Sequence, residues 1–136
     1  LMEGEIRQKG ICVTLDLSSE ALVEGDPVLL EQALFNLFRN AVEAMRDTAP
    51  DQRIVAIALA CVDGYALLTI ADRGCGIDSS VTDKLFDPLF TTKADGMGMG
   101  LAICRSVVEN HRGRLTFEAN TGGGTIFRIL LPLAPQ

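Results

Sequence analysis

Clustered cysteines, basic tracts and membrane-length hydrophobic runs are all missing from this chain of 136 residues. The four cysteines, Cys12, Cys61, Cys75 and Cys104, lie far apart and form no C-x-x-C pair. That argues against metal-ligand spacing and a disulfide scaffold, and points to a reducing, cytoplasmic setting. Net charge is −6, from 12 basic and 18 acidic residues, with no run of Lys or Arg. Nucleic acid is therefore not an expected partner, and an anionic ligand must be held locally, by backbone N–H groups, a metal or a few placed cations. The longest apolar run, Ile54 to Val62, is too short to cross a bilayer, so direct membrane insertion is not expected. No signal-peptide pattern opens the chain. It begins LMEGEIRQKG, without an obvious cap, and reads as cut from something longer. Histidine is nearly absent: the one copy is His111.

What is present is a large apolar fraction, 48% of residues, with a mean hydropathy of +0.26. A single domain of this size buries roughly 68–70% of its unfolded surface and needs no staples. The apolar excess implies a large core and a surface that faces a neighbour. Residues 11–17, ICVTLDL, alternate as a strand. Asp26-Pro27 reads as an N-cap followed by proline at the first helical position. The helix it opens runs to about Asp47 and stops before Thr48-Ala49-Pro50. Residues 53–62 and 65–73 are β-rich runs joined by Asp63-Gly64, a strong hairpin signal. Residues 74–90 read as mixed loop with a short helix near 79–85, and 91–100 as a polar, glycine-rich, mobile stretch. A helix follows from about Gly100 to Asn110, and residues 114–120 and 125–133 form a second hairpin around Gly122-Gly123-Gly124. The sum predicts an α+β fold, a two-layer sandwich with helices on one face of a mixed sheet.

Four motifs can carry chemistry. In the first long helix the apolar stripe Leu30, Ala33, Leu34, Leu37, Phe38, Ala41, Ala44 and Met45 is matched by a polar one, Gln32, Asn36, Asn40 and Glu43. Asparagine is a poor helix former, and two of them one turn apart need a reason. The polar stripe is either a solvated face or the wall of a cleft, where an Asn oxygen can ligate Mg²⁺ alongside phosphates and waters. In ADRGCGID (71–78), Asp72 stands at the end of a strand with Gly74 and Gly76 bending the backbone behind it. That is either a plain turn or a carboxylate placed for the exocyclic amine of adenine, where guanine presents a carbonyl. In LFDPLFTTK (85–93), Phe86 and Phe90 can anchor a loop and Lys93 can reach a phosphate. In GMGMGL, Gly96, Gly98 and Gly100 leave backbone N–H groups free to face an anion, and the following helix adds its positive end. Neither a Rossmann context nor a G-x-x-x-x-G-K-[ST] loop is present.

Taken in order, Asn-x-x-x-Asn-Ala, Asp-x-Gly-x-Gly-Ile, Phe-Asp-Pro-Leu-Phe-Thr-Thr-Lys, Gly-Met-Gly-Met-Gly-Leu and Gly-Gly-Gly-Thr resemble the catalytic ATP-binding domain of sensor histidine kinases, within the GHKL superfamily. The likeness covers about residues 10–133 and is greatest to the branch with an Arg-Asn-Ala-x-Glu-Ala box, here Arg39 to Ala44. It implies a Bergerat-type sandwich of about five strands and three helices, with residues 1–9 the remnant of a preceding helical segment or linker and 10–136 the catalytic domain. It implies ATP and Mg²⁺ as ligands, with Asn40 on the metal and Asn36 one turn earlier in the same site. Asp72 would bind the adenine amine, with Gly74, Gly76 and Ile77 shaping the base pocket. Gly96, Gly98, Gly100 and the Leu101 N–H would hold phosphates, Lys93 the terminal one, with Arg39 nearby and Thr125 in the water network around the base. Residues 91–99 would form a short lid.

Asn36 separates relatives. Hydrolases of the superfamily usually carry glutamate there, and the serine-kinase relatives an acid; an amide cannot act as general base for water at neutral pH. The resemblance therefore implies a histidine kinase that awaits a protein nucleophile, in preference to a GHKL ATPase, a protein-serine kinase or a non-catalytic nucleotide-binding module. His111 ends a helix beside Glu109 and Arg112 and reads as a capping residue. The acceptor histidine is expected on a separate dimerisation segment, with a response-regulator receiver domain downstream and a parent protein that is cytoplasmic or anchored to a membrane.

Overall fold

The structure is a computed structural model that describes residues 10–17, 21–76 and 99–134. Within them the chain forms β1 (Cys12–Leu17), α1 (Pro27–Ala44), a 3-10 turn (Pro50–Gln52), β2 (Ile54–Val62), β3 (Tyr65–Ala71), α2 (Met99–Asn110), β4 (Arg114–Ala119) and β5 (Thr125–Pro132). The strands make one sheet in the order β1-β2-β3-β5-β4. β1 runs parallel to β2, and the other neighbours are antiparallel. The helices lie against one face, giving the two-layer α+β sandwich that the sequence predicts. The short helix expected near 79–85 and residues 91–98 lie outside the described residues, as do residues 1–9.

Local chemistry sets most boundaries. Asp26 caps α1, its Oδ1 accepting from Val28 N at 2.9 Å and Leu29 N at 3.3 Å, and Pro27 occupies the first helical position. The β2–β3 hairpin turns on Asp63 (φ 52°) and Gly64 (φ 84°), the pair of positive φ values that a two-residue hairpin requires. Helix α1 ends three residues before the expected Asp47. Ala44 O accepts from Cys75 N at 3.2 Å, while Thr48 N turns to Met45 O at 3.0 Å, so the helical ladder is given up to a contact from across the fold.

Alternation along the strands sends two cross-strand rows toward the helices. One is Ile57, Ile70, Phe127 and Phe117; the other is Leu59, Leu68, Ile129 and Leu115. The Phe117 and Phe127 rings meet tilted, with centroids 6.1 Å apart. Against these rows α1 presents Ala33, Leu37 and Ala41 from the apolar stripe of the sequence, together with Val42 and the C-cap residue Met45, and α2 adds Leu101, Cys104 and Val108. At the far end of the sandwich His111 joins the two helices: its Nε2 accepts from Asp26 N at 3.0 Å and its Nδ1 donates to Val107 O at 2.7 Å. Those partners require the Nδ1–H tautomer. Gly25 makes room for the ring, since a Cβ there would stand 2.7 Å from His111 Nε2.

Candidate nucleotide site

The site begins where β3 runs out. Asp72 follows the last residue of the strand and is 2% exposed, the only buried acidic side chain among the described residues. Its Oδ1 accepts from Gly74 N at 2.9 Å and Thr125 N at 3.2 Å. Burial pushes the carboxyl above its ordinary value of 3.8, and the two N–H groups pull it back. Among the described residues nothing donates to Oδ2, so that carboxylate oxygen is left for a further donor.

The backbone around Asp72 is clamped from two sides. From the end of α1, Thr48 Oγ1 donates to Arg73 O at 3.1 Å, and Arg73 Nη1 donates to Gln52 Oε1 at 3.1 Å. Gly74 packs onto the last turn of α1, where a Cβ would overlap Ala44 O and stand 2.6 Å from Ala44 C. From the β4–β5 turn, Gly124 lies against Asp72 O, and Asn120 Nδ2 donates to the same carbonyl at 2.7 Å. Gly76, at φ 74°, lies across from Gly124 O. The structure thus brings together Asp72, Gly74, Gly76 and Thr125, from two separate segments.

Helix α1 carries the asparagines toward α2. Asn36 is half-buried and hydrogen-bonds the Cys104 thiol, which donates to Ala33 O at 3.2 Å. Burial pushes that thiol up to about 11. Asn40 lies one turn closer to Ala44, half-buried, with its amide nitrogen inside. Arg39 pairs along the helix with Glu43 at 3.7 Å and is 43% exposed. Gly100 stands in the first turn of α2, and the Leu101 side chain anchors that turn in the core. Ile77, Lys93, Gly96 and Gly98 lie outside the described residues. Among the described residues no group of three or more His, Cys, Asp or Glu could hold a metal ion. None of the four cysteines is in a disulfide. Sequence reasoning passed over Asn120, Thr48 and Gln52. The one available signal was an asparagine opening Asn-Thr-Gly-Gly-Gly, a turn sequence whose amide can reach a backbone carbonyl.

Comparison with known proteins identifies the family and the fold. The chain belongs to the family described as "Histidine kinase-, DNA gyrase B-, and HSP90-like ATPase", which matches residues 25–135. Within it, the likeness is to the ATP-binding catalytic domains of sensor histidine kinases. The C4-dicarboxylate transport sensor protein DctS of Rhodobacter capsulatus is 46% identical over 114 residues, covering 84% of this chain and 17% of that protein. The chain therefore spans less than a fifth of that relative's length. The nucleotide-free catalytic domain of histidine kinase ThkA superposes with a TM-score of 0.85 at 30% identity, over 97% of this chain and 85% of that one. Full-length ShkA in complex with AMPPNP superposes at 0.82 with 26% identity, over 99% of this chain and 28% of that one.

Proposed function

We propose that this chain binds Mg²⁺–ATP and positions its terminal phosphoryl group for transfer to a histidine on a separate segment of a sensor kinase. The observation that carries the reading is Asp72: a buried carboxylate with Oδ1 fixed by two N–H groups and Oδ2, which receives no donor among the described residues, turned to a ligand donor in this reading. The 6-amino group of adenine supplies that donor, and a guanine carbonyl meets repulsion. Gly74 lets the chain after it pack on the last turn of α1, and Gly124 lets the β4–β5 turn close on Asp72, which together hold the carboxylate in place.

In this reading Asn40 offers its amide oxygen to Mg²⁺, which when bound neutralises charge across the phosphates. Asn36 lines the same wall and cannot take a proton from water, so ATP is kept for a protein nucleophile. The N–H groups at the start of α2, with Lys93, Gly96 and Gly98, would hold the phosphate chain; Ile77 would help to shape the base pocket, with Arg39 near the phosphates. The chemistry is positioning and charge stabilisation. ATP gives its γ-phosphoryl group to the histidine nitrogen and leaves as ADP. The wider assignments follow from the sensor-kinase likeness: residues 1–9 as the end of the histidine-bearing segment, 10–136 as the catalytic domain, a response-regulator receiver as the next acceptor, and a cytoplasmic location. Among the described residues no helix is long and apolar enough to cross a membrane.

Calorimetry with ATP and GTP, with and without Mg²⁺, tests the binding reading. Adenine-selective, Mg²⁺-dependent binding is the expected result, and equal affinity for the two nucleotides would overturn the role of Asp72. A histidine-bearing helical hairpin supplied in trans tests the transfer, which should label the hairpin while ATP hydrolysis by the chain alone stays near background.

A further inference from the structure

The antiparallel ladder between β3 and β5 is regular up to Ala71 and Ile126. One residue further, its partners change. Asp72 N still donates to Thr125 O at 2.9 Å, as an antiparallel pair requires. The reciprocal bond, from Thr125 N to Asp72 O, is not made: Thr125 N donates to Asp72 Oδ1 at 3.2 Å. The vacated carbonyl accepts from Asn120 Nδ2 at 2.7 Å, the shorter of the two contacts. A side-chain amide has taken over one rung of the sheet, and a backbone N–H has been handed to a carboxylate.

Asn120 is built into the turn that makes this exchange. Its N–H donates to Gly124 O at 3.0 Å and its carbonyl accepts from Gly123 N at 3.1 Å. Gly124, at φ 101°, passes so close to Asp72 that a Cβ would stand 2.7 Å from Asp72 C and 2.8 Å from Arg73 Cα. The close approach lets a side chain as short as asparagine reach across.

We propose that Asn120 is a positioning residue for base recognition: by occupying the Asp72 carbonyl it releases the Thr125 N–H to the Asp72 carboxylate, which fixes Oδ1 and presents Oδ2 to the 6-amino group of adenine. The proposal rests on the reading of Asp72 as the adenine acceptor. Without the Asn120 amide, the Thr125 N–H returns to the carbonyl, and the carboxylate keeps Gly74 N alone and loses its fixed orientation.

The test compares the wild-type chain with Asn120→Ala, and with Asn120→Ser should the alanine variant not give a folded amide spectrum. Two readouts are taken. The first needs no nucleotide: the Asp72 carboxyl is titrated by side-chain ¹³C NMR. Loss of the Thr125 N–H should move its pKa upward in the variant, and an unchanged titration overturns the proposal. The second is the ratio of affinities for ATP and purine riboside triphosphate, which has hydrogen in place of the 6-amino group. The wild-type preference for ATP should shrink roughly tenfold in the variant, the scale of one hydrogen bond to a charged acceptor. An equal loss for both nucleotides means that Asn120 only holds the turn together, and overturns the proposal. A wild-type chain that does not distinguish the two nucleotides refutes the adenine reading of Asp72, and the carboxyl titration then decides the role of Asn120 by itself.

Discussion

Gly122 and Gly124 lie in one turn, both at positive φ, 86° and 101°, yet alanine should act very differently at the two positions. At Gly122 a Cβ meets nothing within 4 Å, so the variant carries only the strain of an L-residue in a left-handed conformation, about 1–2 kcal/mol. At Gly124 the same strain is joined by overlap with Asp72 O and Arg73 Cα, backbone atoms that cannot swing aside. Overpacking of that kind adds about 1–3 kcal/mol. For a domain of this size each kcal/mol moves Tm by roughly 4 °C. Gly122→Ala should therefore melt about 4–8 °C below the wild type and bind ATP normally. Gly124→Ala should melt about 8–20 °C below it and lose affinity, because the displaced atom belongs to the residue that reads the base. Thermal melts of the nucleotide-free chains, with calorimetry at low temperature where both variants stay folded, give the two comparisons. Equal melting points, or a Gly124 variant with wild-type affinity, would refute the claim that close approach to Asp72 is what the glycine provides.

Three further outcomes follow from the same geometry. Because burial raises the Asp72 pKa, the folded chain holds that proton more tightly than the unfolded one; the contribution to stability is full below pH 3.8 and is lost as pH rises through the folded value. Asp72→Asn should remove that slope from denaturation curves while ATP affinity falls at least about tenfold, and a wild-type minus variant difference that is flat in pH would contradict the burial argument. A thiol reagent at pH 8 should titrate exposed Cys12, Cys61 and Cys75 in the native chain and reach Cys104, buried and pushed up from 9.0 to about 11, only after denaturation; four fast thiols would refute its placement. His111→Ala removes the bonds to Asp26 N and Val107 O and should cost about 1–3 kcal/mol in denaturant unfolding. ATP affinity should stay unchanged, since α1 separates the two ends of the sandwich by about 25 Å, and a matching loss of affinity would show the ends to be coupled.

What the sequence made legible was short-range. Asp26-Pro27 announced the start of α1 because cap and proline act within one turn, and Asp63-Gly64 announced the β2–β3 hairpin because its dihedral demands fall on two adjacent residues. Asp72 was singled out through the order of the motifs around it, and the structure finds it buried with Oδ1 accepting from two backbone N–H groups. The end of α1 was not, because the atom that stops it, Cys75 N, arrives from beyond two strands. Asn120 was hidden for the same reason: its partner carbonyl is 48 residues away, and a turn asparagine has no periodicity to betray it. The remaining predicted site residues, Ile77, Lys93, Gly96 and Gly98, fall outside the described residues.

The parallel pairing of β1 with β2 has a consequence for the order in which the sheet assembles. The β2–β3 hairpin closes over two residues, whereas β1 can reach Ile54 to Leu59 only after the chain from 18 to 53, with α1 in it, has folded back. Loop closure of that length must be met before any β1 contact forms, and β1 gains little when it arrives, being exposed along most of its length with its outer edge unpaired among the described residues. β1 is thus expected to be the last strand to join and the first to open. Its amides should exchange with solvent well before those of β3 and β5, which keeps the Asp72 wall intact through openings that free the edge.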